Sequence, residues 1–255
     1  VLKDMDEEAD LSQQTDLTVG NTDKRHPARK SKRRKRSQAR KKEEHGEALT
    51  IPEISLDLIV HRSSSLSHRQ LEMLVDQLGY MPYNLIEVGS LSDDPEPSPQ
   101  VAVLYPMNKS LSSGRYAKEW LPFPTMLWLC CPKLHTDICE LEVNGWVDKL
   151  QTRLQKDDES ASYLAQMESA HRSYAEERWG LLNDSDRQLV LDRGWTKSLR
   201  ECGVAGMRDF SGVKCLHCHY AHYLARPLHR NLIGEWVHEL LQLKTMESAG
   251  ADREC

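Results

Sequence analysis

Between Gly212 and Arg226 the chain places Cys215, His217, Cys218, His219 and His222 within eight residues. No Gly or Pro interrupts the run from Lys214 to Arg226, and Leu216, Tyr220, Ala221, Tyr223, Leu224 and Ala225 intervene. That pattern predicts a helix. At about 100° per residue, Cys215, Cys218, His219 and His222 share roughly a third of the circumference, with His217 nearly opposite. A helix so loaded must present two thiols and two imidazoles together, and its neighbours must answer that face chemically.

Several chemistries fit. Mixed Cys/His sets suit zinc, whose tetrahedral shell accepts sulfur and nitrogen. Consecutive turns rarely supply all four ligands, so a distant residue is needed. Cys131, just before Pro132 at an expected strand-to-helix junction, is the candidate, because Cys139 and Cys202 fall within helices of their own. The candidate ligands are therefore Cys131, Cys215, His217, His219 and His222. The order Cys215-x-x-Cys218-His219 also matches the haem c attachment pattern. A structural reading buries the thiols and hydrogen-bonds the histidines, free Cys being among the most buried residue types. A nucleophilic Cys215, beside Lys214 and His219, completes the set.

The remainder of the chain bounds these readings. Residues 24–42 carry twelve Lys or Arg and no acid, whereas residue 43 onward carries 21 basic and 32 acidic residues. Residues 1–50 read as a disordered basic arm, suited to nucleic-acid phosphates or an import receptor. Residues 51–246 read as one domain and 247–255 as a polar tail. No apolar run is long enough to span a membrane. Seven clustered cysteines in 255 residues imply a reducing, intracellular compartment, with the nucleus or an organelle open. The chain begins at Val1, so any targeting segment is expected to lie ahead of it. Glycine-rich phosphate loops, dinucleotide fingerprints and G-x-S-x-G elbows are missing.

Local patterns predict an α+β fold, a small N-terminal sheet with a helix followed by a mostly helical half. Ser67 caps a helix over 68–78, with Leu71, Leu74, Val75 and Leu78 as its stripe and Gly79 as its stop. Ile54–Val60 is undecided between strand and helix. Leu85–Val88, Val101–Tyr105 and Met126–Cys130 read as strands, and Met107–Tyr116 reads as a loop. Helices follow over Pro132 to Gly145, 146–155, 160–182, 185–202 with a break near Gly194, and about 232–246. Arg178 reads as a surface arginine, structural or anion-binding.

Several segments read together resemble the uncharacterised bacterial family catalogued as domain of unknown function five hundred and one. They are Pro122-Phe-Pro-Thr-Met-Leu-Trp-Leu-Cys-Cys-Pro132, Leu141-Glu142 with Gly145, Gly203-Val-Ala-Gly206, Val213-Lys-Cys-Leu-His-Cys-His219 and Asn231-Leu-Ile-Gly234. The resemblance implies no established activity. Its pattern coincides with Cys131, Cys215, His217 and His219 and does not require Cys218. Two functions stay open: a non-catalytic binding or regulatory protein, slightly favoured, and a metal- or thiol-dependent enzyme built on Cys131, Cys215 and His219.

Overall fold

Ser67 and Gly79 bracket the first helix of the structure, a computed structural model that describes residues 67–109 and 120–251, side chains to Met246. Helix α1 (His68–Leu78) begins in a capping box. Ser67 Oγ accepts the Gln70 amide at 3.2 Å, and Gln70 Oε1 accepts the Ser67 amide at 2.9 Å. Gly79 ends the helix at φ 75°, its amide donating to the Val75 carbonyl at 2.7 Å. The basic arm, the Ile54–Val60 segment and residues 252–255 lie outside the described residues.

Strands β1 (Leu85–Leu91), β2 (Pro99–Leu104) and β5 (Leu127–Leu129) form an antiparallel sheet in the order β1-β2-β5. Alternation along β2 decides its neighbours. Ala102 and Leu104 join Leu74 and Cys130 under α1, while Val101 and Val103 join Tyr174, Ala221 and Ala225 on the other face. With both faces covered, the strand reads as a continuous apolar run. Strands β3 (Met107–Lys109) and β4 (Trp120–Pro122) pair antiparallel, Asn108 opposite Leu121. This corrects the loop expected from Met107. The pairing partner is not local in sequence, and Ser/Gly composition says nothing about it; Met107 is fully buried.

The second half is helical, making the chain α+β as expected. Helix α2 (Pro132–Val143) starts at Pro132, and α3 (Trp146–Lys156), α4 (Ser160–Leu181) and α5 (Asp184–Asp192) follow. The expected break near Gly194, at φ 68°, leads into a π-turn over Lys197–Glu201 and a 3-10 turn over Val204–Gly206. Helix α6 (Leu216–Ala225) carries the Cys/His run, and α7 (Leu232–Ala251) extends into the stretch read as tail. Ile138, Leu154, Met167, Leu216, Ile233 and Trp236 form the core where α2, α3, α4, α6 and α7 meet. Helix α6 thus has helices on one side and the sheet on the other. Close approach fixes α7 against it: a Cβ on Gly234 would stand 2.5 Å from Tyr223 Cβ and 2.6 Å from the His219 carbonyl oxygen.

Arg178 differs from its surface reading. It is fully buried, with Nε donating to the Leu199 carbonyl at 2.8 Å, Nη1 to Pro124 at 3.1 Å and Nη2 to Cys202. Backbone carbonyls occupy its donors, so it ties the approach to β5 to the loop after α5. No helix among the described residues is long and apolar enough to cross a membrane.

Candidate metal centre between two helices

Helix α6 splits its chemistry between two environments. Its first turn faces α2, where His135, Cys139 and Glu142 stand at i, i+4 and i+7, one face of that helix. Cys215 is the N-cap of α6 but its thiol makes no capping hydrogen bond. Glu142 does the capping from across the junction: its Oε1 accepts the Leu216 amide at 2.7 Å, a carboxylate at the positive end of the helix.

The same oxygen lies 3.2 Å from His217 Nδ1, which thereby becomes a donor. That fixes the ring and turns Nε2 back toward α2. Nε2 stands 3.6 Å from Cys139 Sγ and 3.2 Å from the His135 carbonyl oxygen, and Cys139 Sγ is 3.6 Å from His135 Nδ1. The two imidazoles sit 4.6 Å apart, tilted by 45°. On the other side of the ring, Cys215 Sγ is 4.0 Å from Nδ1.

Among the described residues two groups of metal-ligand atoms result, each gathered within 4.8 Å: His135, Cys139, His217, and Glu142, Cys215, His217. The first offers one sulfur and two nitrogens, with His135 exposed and the others half-buried. A tetrahedral zinc ion with sulfur at about 2.3 Å and nitrogen at about 2.0–2.1 Å has an S···N edge of roughly 3.5–3.6 Å. Both S···N separations in the first group match that edge. In the second group Glu142 is already engaged by the Leu216 amide and by His217, so it serves better as the partner that orients the ring.

The electrostatics of this face follow from its contacts. Burial pulls the His217 imidazole down, but Cys215, the Glu142 carboxylate and the His135 carbonyl together outweigh it and hold the pKa up at about 9. The hydrogen bond from Cys218, aided by His217, holds the Cys215 thiol far below its ordinary range against the effect of burial. Cys218 moves the opposite way, raised by Cys215 and by burial.

The opposite face of α6 is sealed. His219 and His222 have no exposed surface and lie among His171 of α4 and Asn231, which precedes α7. Asn231 Oδ1 accepts the Gly234 amide at 3.0 Å, and its Nδ2 lies 3.0 Å from His222 Nδ1 and 3.2 Å from His219 Nδ1. His171 Nδ1 accepts the Val204 amide at 3.0 Å. The Nε2 atoms of all three have no partner among the described residues. Burial depresses each, His171 to about 4 and His219 and His222 to about 3, and the neighbouring histidines add to it for the latter two. They are neutral.

Of the five residues singled out by sequence, Cys215 and His217 thus meet at the junction. His219 and His222 face the sealed interior and belong to neither group. Cys131 caps α2 without a side-chain hydrogen bond and lies near enough to the Tyr220 hydroxyl to help raise it to about 12, after burial and Tyr223. The residues missed were His135 and Cys139. The sequence carries the signal: His135, Cys139 and Glu142 share one face of a predicted helix, and a place inside a helix does not bar Cys139 from facing a second one.

Residues 93–239, more than half of the chain, match the model of the family described as Protein of unknown function (DUF501). The match contains α2 and α6 entire, and so His135, Cys139, Glu142, Cys215 and His217. No curated protein and no solved structure matches the chain. The segments that suggested the resemblance stand on the elements that build the junction, and the chain belongs to the DUF501 family.

Proposed function

We propose that this chain is a zinc-binding protein whose ion is held by His135 and Cys139 of α2 and His217 of α6. Glu142 orients His217 by accepting from its Nδ1. The observation that carries the reading is the pair of 3.6 Å S···N separations on Cys139, one to each imidazole, at the spacing of a tetrahedral zinc edge. Zinc supplies Lewis acidity, and three protein ligands leave a fourth position for water or a partner's side chain. Binding displaces the proton that His217 Nε2 shares with the His135 carbonyl, so Nε2 exchanges one electrostatic partner for a stronger one.

The surroundings favour a binding or regulatory role over turnover of an enclosed small molecule. His135 is exposed at the surface. Two clefts among the described residues, of 330 Å³ and 460 Å³, are lined by other side chains, one by Tyr80, Phe123 and Trp128, the other by Arg172, Arg200 and Phe210. The test is metal content of the purified full chain by mass spectrometry, with cobalt as a spectroscopic substitute. About one equivalent is expected, with a single thiolate-to-cobalt charge-transfer band that disappears in Cys139→Ser. Glu142→Gln is expected to weaken zinc binding roughly tenfold to a hundredfold. A stoichiometry unchanged in Cys139→Ser and in His217→Gln would overturn the assignment.

A further inference from the structure

Cys215 and Cys218 are left over by the zinc reading, since neither is among its three ligands. Both are free thiols. Cys215 is the N-cap of α6 and Cys218 is the third residue of its first turn. Positions three apart on a helix have Cα atoms roughly 5 Å apart, inside the range of about 4.4–6.8 Å that a disulfide spans. Both residues are half-buried, and they differ in what they stand against. Cys218 packs against the sheet-side core of Val101, Tyr174 and Ala221. Cys215 stands at the entrance of the helix, half-buried, after the exposed Lys214.

We infer that Cys215 and Cys218 form a reversible dithiol–disulfide pair, with Cys215 the attacking sulfur and Cys218 the resolving one. The co-reactant is a low-molecular-weight disulfide or a protein disulfide. The Cys215 thiolate attacks one sulfur of that disulfide, forming a mixed disulfide and expelling one thiolate. Cys218, on losing its proton, attacks the Cys215 sulfur and expels the second. The protein gives up two electrons and two protons, and the disulfide becomes two thiols. The reverse sequence restores the dithiol. Geometry supports the order of attack, because an incoming disulfide reaches the helix entrance before it reaches a sulfur packed on the core. Oxidation closes the turn that carries His217, so the pair stands where it can bear on the metal centre without being part of it.

The experiment uses the full chain, as purified and again after chelator treatment, exposed to glutathione disulfide. Remaining thiols are then alkylated, and peptides are mapped by mass spectrometry. The expected result is one bridge between Cys215 and Cys218, with Cys130 and Cys202, both buried, still alkylatable after unfolding. In Cys218→Ser the mixed disulfide with glutathione is trapped on Cys215. In Cys215→Ser neither a bridge nor an adduct forms at Cys218. A wild-type chain that keeps both thiols free, or a bridge that maps elsewhere, overturns the inference. So does an adduct on Cys218 in Cys215→Ser, because it would reverse the order of attack. Each readout is independent of metal stoichiometry, so this inference and the zinc assignment fail separately.

Discussion

His217 and His222 stand on one helix five residues apart and are opposite in character. His217 faces α2, keeps some exposure and has an acceptor at each nitrogen, so its charged form is favoured. His222 faces the interior, is in contact with one amide nitrogen, and is held neutral by burial. Desolvation acts on both. What differs is whether carboxylate and carbonyl oxygens are close enough to outweigh it. One side of α6 is therefore suited to bind and exchange, the other to hold the fold together.

The strongest break is at Asn231. Its side chain contacts the rings of His219 and His222 and receives the Gly234 amide, all in fully buried surroundings. Asn231→Ala strands three polar groups at about 1–3 kcal/mol each, so a loss of roughly 3 kcal/mol or more is expected in denaturant unfolding. Zinc stoichiometry per folded molecule is expected to stay the same. A mild loss would mean that the sealed face does not depend on its amide bridge.

Acid should unfold the same face from within. His171 is stacked on Phe210 and lies against His219; His222 has the Tyr174 ring edge-on, with His171, His229 and Arg226 contributing unfavourable charge. No carboxylate is among these neighbours. Their folded pKa values, about 4 and about 3, lie below the ordinary 6.5. The unfolded chain therefore binds protons first as pH falls. The stabilisation is complete above pH 6.5 and is lost progressively as pH drops toward the folded values, of order 2 kcal/mol for each histidine by pH 5. Melting temperatures at pH 7, 6 and 5 measure it, and His171→Gln should remove its share of the slope. A flat profile would place protons or partners on these rings that the contrast denies.

The sequence showed the sealed and open faces unequally. The 100° spacing separates His217 from His219 and His222, which the structure reproduces. Helix α1 is legible to the residue because a Ser-x-x-Gln box and a Gly stop act locally. The partner of each face was not legible, since it comes from another element. Glu142 meets Leu216 across 74 residues, and Asn231 is brought to His219 by the packing that Gly234 permits. Arg178 misled for the same reason, its three carbonyls being supplied by the segment before β5 and the loop after α5. Proximity in sequence favoured grouping Cys215 with His219 and His222. The fold groups residues by face, and so brings His135 and Cys139 to His217.

The smallest expected effect is the sharpest discriminator, and it lies at His135. The side chain is exposed, stacks obliquely on His217 and touches Cys139, while the carbonyl that accepts from His217 belongs to the backbone and survives substitution. His135→Ala therefore removes a zinc ligand and little packing. In the chelated chain, unfolding free energy is expected to change by no more than about 0.5 kcal/mol, as for surface positions generally. Zinc affinity should meanwhile fall, and the stabilisation that zinc confers on the wild-type chain should shrink with it, because an ion stabilises only in proportion to its preference for the folded state. Melting curves of both chains, with and without zinc, give the two quantities together. If His135→Ala weakened the chelated chain as much as Asn231→Ala does, the exposed face would be structural too. If it left zinc binding untouched, the ion would have to sit on the Glu142, Cys215 and His217 side of the ring.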